Sequence, residues 1–171
     1  AIGNVSLEYP IAKDIPGYKH GQVLDTVYAY GNYESVPDNK PITIRHLITH
    51  TSGLGYGVID GDPRLKKIYK AAGVTDLFTT ENISIEESVS KLAKLPLHHH
   101  PGEKFTYSEG LDVLGYFVEL MSEMPLDVFF RTRIFDPLGM NDTWFYLPES
   151  KHSRLVSIQK KEDNKWVRYP T

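Results

Sequence analysis

Between Thr43 and Ile134 the apolar residues recur every three or four positions, the spacing that lines one face of a helix. Ile44, Leu47 and Ile48 predict a short helix over 44–49, capped by Thr43 and stopped by Gly53. Leu65, Ile68, Tyr69 and Ala72 predict a second, opened by Asp62 and Pro63 and closed by Gly73, with Arg64, Lys66, Lys67 and Lys70 on its solvated side. Ser84-Ile85-Glu86-Glu87 reads as a capping box for a third helix running to Lys94, with Ile85, Val89, Leu92 and Ala93 inward and Pro96 as its end. A fourth, Glu109 to Met124, carries Leu111, Leu114, Val118 and Met121 on one face, widened by Val113, Phe117 and Leu120. That breadth implies burial on two sides. A fifth spans Leu126 to Ile134.

Outside this block the pattern weakens. Residues 1–40 are loop-rich, punctuated by Pro10, Pro16 and Pro37, with room for one helical turn near Pro10 to Lys13. Val23 to Tyr30 is rich in β-branched and aromatic residues and predicts a strand before the Gly31-Asn32 turn. Trp144 to Leu147 forms a strand-like apolar run closed by Pro148. Leu155–Ile158 and Trp166–Tyr169, separated by the polar stretch from Glu162 to Lys165, predict a β-hairpin within 149–171. The expected fold class is mainly α with a few short strands, residues 1–171 forming a single domain.

Composition changes the picture mainly by exclusion. At 171 residues, 40% hydrophobic and 24% charged, the chain is long enough for a real core. Its net charge of −3 gives no basic field for nucleic acid or an anionic membrane, so neither is expected as a partner. There are 0 cysteines, which removes disulfides and thiolate ligands. No apolar run approaches the roughly 18 residues of a membrane span. Neither a metal nor a cofactor is expected. His46 and His50 share a helix face, but Leu47, Ile48 and Thr49 between them supply no further ligand, and helix-end hydrogen bonding accounts for both. His98, His99 and His100 alternate sides in an extended backbone and cannot all face one ion. The oligomeric state is open.

The candidate chemistry lies in Pro101 to Leu114. A Pro-Gly turn and a short extended segment deliver Tyr107 to a helix mouth, where Ser108 can cap and Glu109 enters the first turn. Unpaired N–H groups and the helix dipole favour an anion at such a place, so a phenol there is a candidate proton carrier. The plainer alternative is a buried tyrosine hydrogen-bonded to a carbonyl. Upstream, Thr51 to Gly57 is dense in glycine and could let backbone approach a ligand. Ser52 is no nucleophile elbow, because position 50 is His where that motif needs Gly.

Three segments, ITIRHLITHTSGLGYG (42–57), PGEKFTYSEGLDVLGY (101–116) and IFDPLGMNDTWFYLP (134–148), resemble in order and wording the serine β-lactamase-like family of class C β-lactamases, penicillin-binding proteins and related esterases. The resemblance implies the helical portion of a β-lactamase/transpeptidase-like α+β fold. That family uses a Ser-x-x-Lys nucleophile, a Tyr-x-Asn element and a Lys-Thr-Gly-like triplet. Tyr107-Ser108-Glu109 matches the second, with Glu109 where Asn is usual, and no matching triplet occurs. Ser88-Val89-Ser90-Lys91 and Ser157-Ile158-Gln159-Lys160 read as chance matches, the first inside an amphipathic helix and the second in a strand.

The resemblance therefore implies a central fragment, inactive by itself. Its parent would attack a β-lactam, ester or peptide carbonyl through an acyl-enzyme and be periplasmic or secreted. Tyr107 and Glu109 are its catalytic candidates, and Ser108, Leu54 and Tyr56 its contacts to a small-molecule or peptide substrate. Glu109, an acceptor that brings negative charge, tilts the reading from penicillin hydrolysis toward an esterase or peptidase. Two alternatives stay open: a non-catalytic binding module, and a helical interaction domain with Tyr107 fully buried.

Overall fold

The computed structural model describes residues 5–76, 79 and 81–169. Its elements follow from local signals. Strands β1 (Gln22–Val27) and β2 (Tyr33–Pro37) pair antiparallel, with Val23 opposite Val36 and an irregularity between Leu24 and Thr26. Helix α1 (Ile44–Ile48) is capped reciprocally: the Thr43 hydroxyl accepts from the His46 N–H, and His46 Nδ1 accepts from the Thr43 N–H. Helix α2 (Pro63–Ala72) begins on the Asp62 carboxylate and ends at Gly73, whose φ of 64° an L side chain rarely adopts. Helix α3 (Ile85–Leu92) starts at Ser84, whose hydroxyl accepts from the Glu87 N–H. Helix α4 (Gly110–Ser122) and helix α5 (Leu126–Phe130) follow, and a wide π-type turn over Arg131–Phe135 extends the latter.

Helix α4 packs against α1, α3 and α5. The core gathers Ile11, Ile42, Leu47, Tyr69, Val89, Leu92, Val113 and Phe117. Burying each such side chain is worth about 1.5–3 kcal/mol. The face of α4 differs from the expected one. Val113 and Phe117 are its buried stripe, with Gly110 and Gly115 allowing close approach, whereas Leu111 and Met121 point outward. Its end comes at Ser122 because Glu123 adopts a left-handed conformation, φ 56°.

Other boundaries also shift. The lead contains two tight turns, Ile11–Lys13 and Pro16–Tyr18, where one was expected. The expected strand over 23–30 stops at Val27, and β2 returns beside it. Trp144–Leu147 is irregular, not a strand. At the C-terminal end Glu149–Arg154 coils into a tight helix before strands β3 (Gln159–Glu162) and β4 (Lys165–Arg168). Their register is set by a two-residue turn at Asp163 and Asn164, φ 46° and 63°, the geometry that matches strand twist. Strand therefore begins at Gln159 rather than Leu155. The described chain is a mixed α/β arrangement, less predominantly helical than expected.

Candidate active site

Tyr107 is positioned by two runs lying side by side, residues 51–57 after α1 and 98–109 before α4. Backbone bonds join them: His98 N–H to the Gly53 carbonyl (2.7 Å), Gly102 N–H to Thr51 (2.7 Å), Thr106 N–H to His50 (2.8 Å) and Glu109 N–H to Gly55 (3.1 Å). Such proximity demands glycine. A Cβ on Gly53 would lie 2.2 Å from the His99 carbonyl oxygen, and one on Gly55 2.2 Å from His98 Cε1. Buried His99 braces the second run. Its Nδ1 lies 2.9 Å from the His100 carbonyl and its Nε2 2.9 Å from the Thr106 hydroxyl, so Nδ1–H donates and Nε2 accepts. Burial pushes its pKa down, which suits the neutral ring.

The Tyr107 side chain is 55% exposed. Its ring lies over His50 (centroids 4.8 Å apart) and stacks nearly parallel on Tyr56 (5.8 Å, 6°). His50 takes a left-handed backbone, φ 52°, at the end of α1, which turns its ring beneath the phenol. The Ser108 N–H donates to His50 Nδ1 (3.3 Å), so that nitrogen carries no proton. The Ser108 hydroxyl accepts from the Gly110 N–H (3.2 Å) and sits 3.3 Å from His50 Nδ1.

The predicted site residues thus separate. Tyr107 and Tyr56 meet face to face at the surface. Ser108 is buried and bonded at the helix mouth rather than open to a ligand, and Leu54, 2% exposed, belongs to the core instead of a cleft wall. Tyr107 is not enclosed as the helical-interaction alternative requires.

Tyr56 divides two cavities. One, about 350 Å³, is lined by Tyr107, Phe105, Thr106, His98 and Asp60. The other, about 450 Å³, is lined by Glu109, Asp112, Glu119 and Asp127 together with Phe145 and Tyr146. Glu109, two residues from Tyr107, faces this second space. It is 4% exposed, and its carboxyl is pushed up to about 9, first by burial, then by a hydrogen bond with Asp76 and the charges of Asp76 and Asp112. It is therefore protonated at neutral pH, and its Oε1 has no hydrogen-bond partner among the described residues. Burial foremost, then the same acids, raises the Tyr56 phenol to about 12. Asp76 in turn accepts the Gly57 N–H (3.0 Å). Ser88 also lines the second cavity, while Lys91 of the same Ser-x-x-Lys match is paired with Glu87 at 3.1 Å. Among the described residues, no cluster of three or more His, Cys, Asp or Glu is arranged to hold a metal ion, and no helix is long and apolar enough to cross a membrane.

Sequence reasoning missed His50 as the support of Tyr107, and Asp76 as the partner of Glu109. The histidine was legible only as a helix-end residue. Asp76 approaches Glu109 through tertiary packing, which leaves no local pattern.

The family model described as Beta-lactamase matches residues 2–170. Esterase EstB of Burkholderia gladioli is 38% identical over 150 residues, covering 87% of this chain and 34% of the esterase. Monacolin J acid methylbutanoyltransferase of Aspergillus terreus is 33% identical over 147 residues, 86% of this chain and 33% of that enzyme. The solved structure of EstCE1, a hydrolase with promiscuous acyltransferase activity, superposes with a TM-score of 0.80 at 25% identity, over 98% of this chain and 40% of its own. The chain thus spans about a third of the length of these curated relatives. The chain belongs to the serine β-lactamase-like family.

Proposed function

We propose that this segment contributes the proton-carrying tyrosine of a serine hydrolase that cleaves or transfers acyl groups of esters through an acyl-enzyme. The observation that carries the reading is Tyr107, exposed at the mouth of α4, stacked on Tyr56 and held over His50, with a cavity beside it. A phenol so fixed takes the proton of an attacking serine and returns it to the leaving alkoxide, provided a cation stands near it. The serine and its lysine come from outside these 171 residues, so the segment alone does not turn over. The coverage of the relatives, about a third of each, supports that division. Ser108 acts by positioning, Tyr56 forms a substrate wall, and Glu109 sits behind that wall as a neutral carboxyl.

An ester is favoured over a β-lactam because Asp60 lines the cavity beside Tyr107 and further acids lie behind Tyr56, so a substrate carboxylate would be repelled there. The esterase and acyltransferase relatives support the same choice. The site works outside the cytoplasm, as a periplasmic or secreted enzyme. In the whole protein carrying this segment, Tyr107→Phe lowers kcat/KM for a p-nitrophenyl ester by roughly 10²–10⁴. Turnover undiminished in the folded variant overturns the reading. Ester binding retained without any turnover in the unmodified protein would favour a binding module instead.

A further inference from the structure

Apolar side chains crowd the open side of Tyr107. Phe105 is 66% exposed and Ile59 48%, and with half-buried Leu65 and Tyr56 they line the 350 Å³ cavity that Tyr107 borders. Its volume lies at the low end of small-molecule pockets, roughly 300–1,000 Å³. Single exposed apolar residues are ordinary, but a cluster of them around a cavity beside a proton carrier marks a binding surface. Tyr107 has to stay open to the ester in the whole protein, so the part of the cavity against its ring stays open as well.

The wall supplied by Ile59, Asp60 and Leu65 is fixed before any ligand arrives. The Asp60 N–H donates to the Tyr56 carbonyl (2.9 Å), closing the turn that carries Ile59. The Asp60 carboxylate accepts from the Asp62 N–H (2.7 Å) and lies 3.6 Å from His98 Nδ1. Asp62 in turn caps α2 and holds Arg64, whose guanidinium also donates to the Val27 carbonyl at the end of β1 (2.7 Å). Leu65 stands in the first turn of that anchored helix. A wall so held gives up little freedom on binding. Among the described residues no lysine or arginine lines the cavity while Asp60 does, which favours a neutral guest over an anionic one.

We propose that this cavity receives the alcohol portion of the ester, with Ile59, Leu65 and Phe105 setting its specificity, and that the substrates of this protein are esters of neutral, apolar alcohols. The choice of side rests on the serine-hydrolase reading above and follows from the proton path. As the bond between the acyl carbon and the alcohol oxygen breaks, the proton that Tyr107 took from the serine passes to that oxygen. The oxygen leaves as the alcohol, and the acyl group stays on the serine. The substrate atom that Tyr107 has to touch is therefore the alcohol oxygen, and the carbon chain on that oxygen enters the space bounded by the same ring. The acyl chain diverges from it, because the four bonds of the tetrahedral intermediate point apart.

Two ester series read the two sides separately in the whole protein carrying this segment. One lengthens the alcohol, from ethyl to butyl to hexyl acetate; the other lengthens the acid, from ethyl acetate to ethyl butanoate to ethyl hexanoate. kcat/KM should rise about threefold for each methylene added to the alcohol and stay within about threefold over the whole acid series. Ile59→Ala combined with Leu65→Ala, at two partly exposed positions, should lower kcat/KM for hexyl acetate at least about tenfold more than for ethyl acetate. A flat alcohol series, an acid series that rises as steeply, or an unchanged hexyl-to-ethyl ratio in the folded double variant overturns the inference and leaves the hydrolase reading standing. Binding without turnover separates the two. In methyl NMR spectra n-hexanol should shift Ile59 and Leu65 saturably, with n-hexanoate at least about tenfold weaker. Saturation of those methyls by hexanol without turnover of any ester removes the hydrolase reading and leaves an apolar-alcohol site. Methyls that hexanol does not move overturn the site whether or not esters are cleaved.

Discussion

Tyr107 and Glu109 are neighbours but one in sequence, yet Tyr56 puts a wall between them. The tyrosine stands more than half exposed on one side, stacked between rings. The glutamate lies on the other, almost fully buried and paired with an acid. The difference arises from the helix mouth. Tyr107 is the last residue held by the extended run beside His50, whereas Glu109 has turned inward with the first residues of α4, its N–H on the Gly55 carbonyl. One short motif thereby presents a phenol outward and a carboxyl inward. Adjacency in a motif is not adjacency in a site.

That contrast can be broken or sharpened by substitution. The largest effect on stability is expected at Leu47, fully buried in α1 where that helix packs on α4. Leu47→Ala should cost about 2–5 kcal/mol in urea unfolding and disturb the two sides together. Glu109→Gln affects the inner side alone. The folded carboxyl titrates at about 9 against an ordinary 4.5, so the folded state holds a proton that the unfolded state has lost. Stability therefore falls as pH rises between these values, by roughly 1.4 kcal/mol per unit while that difference is complete. Removing the acid should flatten the dependence and raise stability at pH 8. Unfolding series from pH 5 to 9 on both proteins check it.

A smaller change is expected at His50. His50→Ala takes away the acceptor of the Ser108 N–H and the ring beneath Tyr107, and should cost about 1 kcal/mol while altering the near-UV dichroism of the tyrosines. Smallest of all is Glu8→Gln. Its ion pair with Arg45 joins two groups each more than half exposed, away from either cavity, and thermal unfolding should register less than about 1 kcal/mol.

What the sequence disclosed follows the range of the forces involved. Helices α2 and α3 were legible because Asp62, Pro63, Gly73 and Ser84 act within one turn of the elements they bound. Strand β2 was not, since Tyr33–Pro37 is exposed at every position and shows no alternation; its pairing with β1 is what makes it a strand. The face of α4 was misjudged at Leu111 and Met121 because apolar residues run nearly all round it, and only its neighbours choose the side. In the site, the turn, extended run and helix start located Tyr107 correctly at a helix mouth. Leu54 was expected at a cleft from the family resemblance of its loop, whereas the loop's close packing on residues 98–102 leaves that side chain buried in the core. The proton on Glu109 depends first on burial and then on Asp76, both supplied by the fold alone.

The division between the two sides is tested most directly by measuring kcat and KM of the whole protein for p-nitrophenyl butyrate, with Tyr107→Phe and Glu109→Gln run side by side. The account predicts that the first collapses kcat by roughly 10²–10⁴ with KM little changed, and that the second leaves kcat largely intact. An equal collapse of kcat in both variants would contradict it, because the two residues would then act on the same reacting atoms.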